Sequence, residues 1–235
     1  MTFRLNPLAL ALAPLLLGGT TAWAQDNILR VGYTQVQPNS SASDATGPFL
    51  LKPNSGVSLT VKDQSTLFFS YARKIDDRLE VELAMGVPPT HDIAAKLNPA
   101  IVPGYIVSAY QGQTIAKIRQ FAPTVFLNYS FGESSSALRP FVGVGVNYTK
   151  FDKRSSTSIG NSLNGGPTDI QLSDSWGLAA QVGLEYRIND KWSLHGSVAT
   201  ARVKTTLTAT TAGAARVMDI TFHPVVLTMT AGYRF

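Results

Sequence analysis

The sequence predicts an all-β fold: an eight-stranded antiparallel up-and-down transmembrane β-barrel with short periplasmic turns and long extracellular loops. Three observations carry this. Successive segments alternate apolar and polar residues with the period of 2 that puts each set on one face of a sheet. The connections between those segments alternate long and short, as in an outer-membrane meander. Mean hydropathy is only +0.06 and charged residues make up 15% of the chain. That is too polar for a bundle of membrane helices, yet below the roughly 25% charge of soluble domains.

The expected first strand covers 28–37, with Leu29, Val31 and Tyr33 opposite Arg30, Gly32 and Thr34. A Ser/Asn/Gly/Pro-rich loop, 38–56, leads to a second strand over 57–75 with Leu67, Phe69 and Tyr71 on one face. Asp76-Asp77 turns the chain into the third strand, where Leu79, Val81, Leu83, Met85 and Val87 oppose Glu80 and Glu82. A long loop spans 88–116. The fourth strand presents Val125, Leu127, Tyr129 and Phe131; after a turn at 132–138, the fifth presents Val142, Val144, Val146 and Tyr148 against Gly143, Gly145 and Asn147. A third long loop, 152–172, precedes the sixth strand, with Leu178, Ala180, Val182, Leu184 and Tyr186 opposite Gln181, Gly183, Glu185 and Arg187. Asn189-Asp190-Lys191 turns into the seventh, with Trp192, Leu194 and Val198 on one face. A shorter loop, 209–216, then leads to a closing strand over 217–235. Aromatics flank many of the short turns, as an interfacial girdle requires. A secreted soluble barrel of eight strands would use the same alternation with its apolar face inward. The near-absence of charge on one face and the carboxylates and arginines sharing the other favour the membrane barrel.

An eight-stranded barrel is just wide enough for side chains to fill, which disfavours a general porin. The inward set includes Phe68, Phe126, Phe141, Phe222 and Val226, which line a route for apolar solutes or else fill the lumen as a plug. Glu80, Glu82, Arg139, Glu185, Arg187 and Arg234 are expected to form a mutually paired charge network near the turn end, because unpaired buried charge is costly. Such a network would obstruct a straight path to the periplasm and makes a sideways exit economical. Pro123 and Pro224 lack the N–H a strand needs. They mark either a weakened wall at that exit or strand starts where proline is tolerated.

Arg4, the apolar run 5–17 and Ala22-Trp23-Ala24 read as a secretory signal over 1–24, with the mature barrel over 25–235. No other segment approaches the ~20 apolar residues of a spanning helix. The absence of cysteine excludes disulfides and thiolate metal sites. The net charge of +5 is scattered, with no basic run beyond Lys153-Arg154, so nucleic acid is not the expected partner and a surface facing anionic lipopolysaccharide is. His91, His195 and His223 lie on separate elements without metal-ligand spacing, and there is no nucleophile motif. No catalytic, cofactor or metal site is expected.

Three stretches resemble the OmpW family of eight-stranded outer-membrane proteins. They are Val81-Glu82-Leu83-Ala84 leading to Pro88, the run from Leu138-Arg139-Pro140 through Asn147-Tyr148, and His223-Pro224-Val225-Val226 leading to Gly232-Tyr233-Arg234-Phe235. Ala122-Pro123-Thr124 also fits. The resemblance implies passive uptake of small hydrophobic molecules through a narrow channel, with lateral release into the membrane as an exit open to it. It also implies that Tyr233 and Phe235 form the terminal signal read by the barrel assembly machinery. A non-transporting structural or adhesive barrel acting through its loops is the competing reading. The apolar segment 101–110 departs from an ordinary extracellular loop and is expected to bury itself, as a funnel wall or as a lid.

Overall fold

The computed structural model describes residues 27–47 and 55–235; the expected export signal and the start at Gln25 lie outside the described residues. In chain order the strands are β1 (Asn27–Gln37), β2 (Ser40–Ala42), β3 (Val57–Val61), β4 (Gln64–Lys74), β5 (Leu79–Gly86), β6 (Thr90–Leu97) and β7 (Thr114–Phe121). They continue as β8 (Thr124–Ser130), β9 (Leu138–Ser156), β10 (Thr168–Leu172), β11 (Ser175–Arg187) and β12 (Trp192–Ala201), then β13 (Val203–Thr211), β14 (Ala214–Phe222) and β15 (Val225–Arg234). Two short helices, α1 (Gly104–Tyr110) and α2 (Ser158–Asn164), lie between β6 and β7 and between β9 and β10.

Eight strands close in the order β1-β4-β5-β8-β9-β11-β12-β15, every neighbour antiparallel. Closure runs from Ile28↔Arg234 to Gln37↔Val225, so no edge is left unpaired there. The barrel is inside-out relative to a soluble one. Leu178 and Met229 are 78% and 77% exposed on the outer face, along with Leu29, Val31, Val144 and Trp176, while Arg30 and Glu82 are each 1% exposed inside. An exposed apolar band around a buried charged interior needs lipid outside. The Val-Gly-Val-Gly-Val run of β9 shows why the alternation serves both surfaces. Its valines face lipid, and its glycines admit inward neighbours: a Cβ on Gly145 would fall 2.8 Å from the Phe126 ring, and one on Gly143 would fall 2.2 Å from Asn128 Oδ1.

The short turns are held by side chains acting as backbone acceptors. Asp76 Oδ1 accepts from the N–H groups of Arg78 (2.7 Å) and Leu79 (2.8 Å), and Asn189 Oδ1 from those of Lys191 and Trp192, both at 2.9 Å. The girdle forms beside them: Trp192 packs on Tyr233 at 5.0 Å between centroids and Tyr129 on Phe131 at 5.2 Å.

Each of the four expected long loops contains strand residues among the described residues, namely β2, β6 and the start of β7, the end of β9 with β10, and the β13–β14 hairpin, which corrects the loop boundaries. The expected second strand, 57–75, is two strands: β4 stays in the wall, and β3 leaves it to pair with β6. The expected closing strand, 217–235, is likewise split before Val225, and β14 pairs with β13 and β2. Ala212 and Gly213, at φ 48° and 80°, make the two-residue turn that joins β13 to β14, a geometry favoured by strand twist. β3, β6, β7 and the upper end of β9 face β2, β10, β13 and β14 across an apolar core that includes Leu59, Ile93, Ile118, Phe151, Leu207 and Ile220. The barrel therefore continues upward as a packed extension. Outward ion pairs, Lys117–Asp92 at 3.6 Å and Arg119–Asp152 at 2.6 Å, put this extension beyond the lipid band. The apolar segment 101–110 is neither funnel nor lid of the barrel. It carries α1, and Val102, Ile106, Val107 and Tyr110 pack against Ala95, Leu97 and Val57 at the far end of the extension.

Candidate functional site

Glu80 and Glu82 on β5 and Glu185 on β11 share inward parity, and strand pairing brings them to one level with Arg30 of β1. The Arg30 guanidinium grips Glu80 with both nitrogens (Nη1–Oε1 2.9 Å, Nη2–Oε2 3.0 Å) and reaches Glu185 Oε2 at 3.1 Å and Glu82 Oε1 at 3.3 Å. The remaining lone pairs are occupied. Ser70 Oγ donates to Glu82 Oε1 (2.6 Å), while Asn128 Nδ2 and Gln181 Nε2 donate to Glu82 Oε2 at 2.9 and 3.0 Å. Gln181 also donates to Asn128 Oδ1 at 2.7 Å. Multiple hydrogen bonds of this kind are what make buried carboxylates tolerable. This layer links β1, β4, β5, β8 and β11 across the barrel interior.

The network differs from the expected one in two ways. Arg234 belongs at its edge, 3.8 Å from Glu185, but Arg139 and Arg187 do not pair with the carboxylates. Arg139 donates to the carbonyls of Asp77 (2.7 Å) and Phe131, and Arg187 to the carbonyls of Ser135 and Ser136, so both pin the short turns. Their inward parity is right, but they sit too close to the strand ends to reach the layer. The cation that sequence reading overlooked is Arg30. Its signal was its parity: it lies on the polar face of β1, one residue away from Leu29 and Val31.

Above the layer lies a cavity of about 130 Å³. Glu82 and Gln181 contribute to its floor; Phe68, Ala84, Phe126, Ala179, Ala199 and Val226 are among its walls, and Phe222 and His91 stand at its upper end. This approaches the size of the roughly 150 Å³ apolar cavities that accept benzene. Phe68, Phe126, Phe222 and Val226 thus surround one space. Phe222 does so from β14, not from the barrel strand expected to carry it. Phe141 does not join them: it lies on the turn side of the layer, stacked on His195 with centroids 4.8 Å apart.

The wall beside the cavity is interrupted between β5 and β8. Their ladder ends at Ala84↔Thr124, and pairing resumes only at Thr90↔Arg119 on β6 and β7. Pro88, Pro89 and Pro123 occupy the interval and have no N–H to contribute. The backbone bond bridging it is Gln120 N–H to Pro89 O, 3.0 Å. Met85, Gly86, Pro89 and Ala122 line the cavity here. Pro224 also lines the cavity, but there the ladders on both sides end at Val225 and pairing resumes at Phe222 with Ser40 and Val203, so the gap holds only His223 and Pro224 and is shorter than the one between β5 and β8. Tyr233 and Phe235 stack outside the barrel, 6.5 Å apart, and Phe235 N–H bonds Asn27 O at 2.9 Å.

His91, in the extension, is held below its ordinary pKa of 6.5, first by burial, against the opposing pull of the Lys62 carbonyl and Asp63. A buried neutral imidazole gives the unfolded chain the greater proton uptake, so its contribution is intact above 6.5 and is lost as pH falls through the lowered value. Acidification from pH 7 to 5 is therefore expected to lower the amide protection factors of β6 and β7, corrected for the slower intrinsic exchange, ahead of those of the barrel, and His91→Gln to remove that acid sensitivity. Equal acid sensitivity in the variant would contradict this assignment.

A closed eight-stranded barrel with an exposed apolar band and a buried ionic interior defines the class: an outer-membrane β-barrel protein. Comparison with known sequences narrows it. The chain belongs to the OmpW family, whose model matches residues 24–235. It is 33% identical over 210 residues to outer membrane protein W of Vibrio cholerae, covering 89% of this chain and 88% of that protein. The crystal structure of the outer membrane protein OprG from Pseudomonas aeruginosa superposes with a TM-score of 0.77 at 27% identity, over 90% of this chain and 96% of that one. The dibenzothiophene metabolism operon protein PahQ of Pseudomonas aeruginosa is 25% identical over 227 residues, 94% of this chain and 95% of that protein. The protein is an outer-membrane protein with lipid around its barrel.

Proposed function

We propose that the chain is a passive conduit, not an enzyme, which admits small hydrophobic molecules and releases them sideways into the outer-membrane bilayer. The observation that carries this is the pairing of an apolar-walled cavity with an interrupted wall, above a layer that blocks the axial path. A solute in the cavity meets buried ion pairs below it, where an apolar body would have to displace hydrogen bonds. Sideways, between Met85–Pro89 and Ala122–Pro123, it meets a wall held by few backbone bonds. Dibenzothiophene, which gives one relative's operon its name, is an apolar aromatic compound of the kind the cavity's phenylalanines suit. On this reading Phe68, Phe126, Phe222 and Val226 line the path and Pro123 marks its exit. Pro224 sits at a strand start, where proline is tolerated. Residues 1–24 are removed on export, Tyr233 and Phe235 are read by the assembly machinery, and the exposed basic residues face lipopolysaccharide.

The competing reading, a structural or adhesive barrel, draws on the packed extension, which gives the extracellular connections a fixed surface. Uptake of a medium-chain hydrocarbon by intact cells separates the two. Pro123→Val, which restores an N–H to the interrupted ladder, is expected to lower uptake severalfold at normal surface expression, and Pro224→Val to leave it near wild type. Uptake unchanged by Pro123→Val would sink lateral release; uptake equal with and without the protein would sink the conduit itself.

A further inference from the structure

His91, the second residue of β6, is 2% exposed, and its ring forms part of the walls of two spaces. One is the cavity already described; the other is a smaller apolar space of about 20 Å³ above it, enclosed by residues such as Leu59, Ile93, Ile118 and Leu207. His91, Gln120 and Phe222 are common to both, so they form the constriction between them. On the conduit reading, a solute passing from the extension into the barrel crosses this point.

The tautomer of His91 follows from its one hydrogen bond. Nδ1 lies 3.0 Å from the Lys62 carbonyl oxygen, which can only accept, so Nδ1 carries the proton. Nε2 is then an acceptor. It is buried and has no partner among the described residues, and it lies on the edge of the ring turned away from the Lys62 backbone. Buried polar atoms without partners are rare, because desolvation is not repaid, and each calls for an explanation. The smaller space is lined by apolar residues apart from His91 and Gln120, so a donor group on an entering solute would supply the partner Nε2 lacks.

Building on the conduit reading above, we infer that His91 Nε2 is an acceptor station that selects solutes with an apolar body and a single hydroxyl or N–H donor. Phenols and alkanols fit it; hydrocarbons of the same shape fill the space but leave Nε2 unpaired. The discrimination expected from one such bond is about three- to tenfold. Gln120 and Phe222 complete the station as its polar flank and its apolar face.

The test uses the full-length barrel labelled with ¹⁵N-histidine in lipid nanodiscs, titrated with 4-methylphenol and with its isostere 1,4-dimethylbenzene. The Nε2 resonance of His91, assigned by its loss in His91→Leu, is expected to move upfield with 4-methylphenol and to stay in place with dimethylbenzene. At equal concentration in the lipid, 4-methylphenol is expected to bind about three- to tenfold more tightly. His91→Leu should bring the two affinities together, read from the Phe126 and Phe222 ring signals. Equal affinities in the wild type, or an unmoved Nε2 signal at saturation with 4-methylphenol, would overturn the inference while leaving the conduit reading intact. If neither compound perturbs the Phe126 or Phe222 rings, the cavity does not take apolar solutes and both readings fall. His91→Met, which carries no strong acceptor, repeats the comparison should the leucine variant fold poorly.

Discussion

Arg30→Met is expected to cost the barrel about 3–5 kcal/mol, the range for removing one partner of a buried ionic cluster. The guanidinium is in contact with three carboxylates, Glu80, Glu82 and Glu185, and Arg234 approaches only Glu185, at 3.8 Å. Without Arg30, two carboxylates on β5, with side chains 9% and 2% exposed, would face each other's charge. Asn128, Ser70 and Gln181 would still donate to Glu82, but none of them carries charge. The midpoint of urea unfolding in lipid vesicles reads the loss. Neutralising the acids as well (Arg30→Met with Glu80→Gln, Glu82→Gln and Glu185→Gln) should recover most of it, since no buried charge is then left unpaired. A loss below about 1 kcal/mol in the single variant, the level of an exposed pair, would mean that the layer is hydrated and does not close the lumen.

Ala84→Trp is expected to lower uptake of an apolar solute at least about tenfold without preventing assembly. Ala84 is buried in contact with Phe126 and Ala179, and it lines the cavity just above the carboxylate layer. An indole there takes up most of a space of about 130 Å³ and replaces the solute. The overpacking cost of about 1–3 kcal/mol falls on a closed barrel whose every strand is paired. Ala199→Phe reaches the same space from β12 and should act in the same direction. Heat-modifiable electrophoretic mobility checks that both variants are folded. Full uptake by folded forms of both would show that solutes bypass the cavity.

The membrane barrel was legible because its evidence is local. Alternation along Val142–Tyr148 or Leu178–Tyr186 names the lipid face without reference to any partner strand. The short turns were legible for the same reason: Asp76 and Asn189 are turn residues acting on their own next few N–H groups. The extension was not legible. Its strands, such as Thr90–Leu97 and Thr168–Leu172, are short, carry charged or polar residues, and lie inside segments that read alone as loops. They become strands because β3 finds β6 and β10 finds β13 across long sequence separations.

The candidate site divides along the same line. That Phe68, Phe126, Glu80, Glu82 and Glu185 point inward follows from parity, which the chain encodes residue by residue. Which of them meet depends on the stagger of tilted strands around a closed barrel, and that is a property of all eight pairings together. Stagger sets Arg30 level with the carboxylates, leaves Arg139 and Arg187 on the turns, and drops Phe141 below the layer while Phe126 stays above it. It also decides that the longer unpaired stretch of wall falls beside Pro89 and Pro123, whereas pairing around Pro224 resumes within two residues. Local alternation thus determined the fold and its orientation to lipid. Only tertiary register decided which charges meet across the interior and where the ladder of the wall is interrupted.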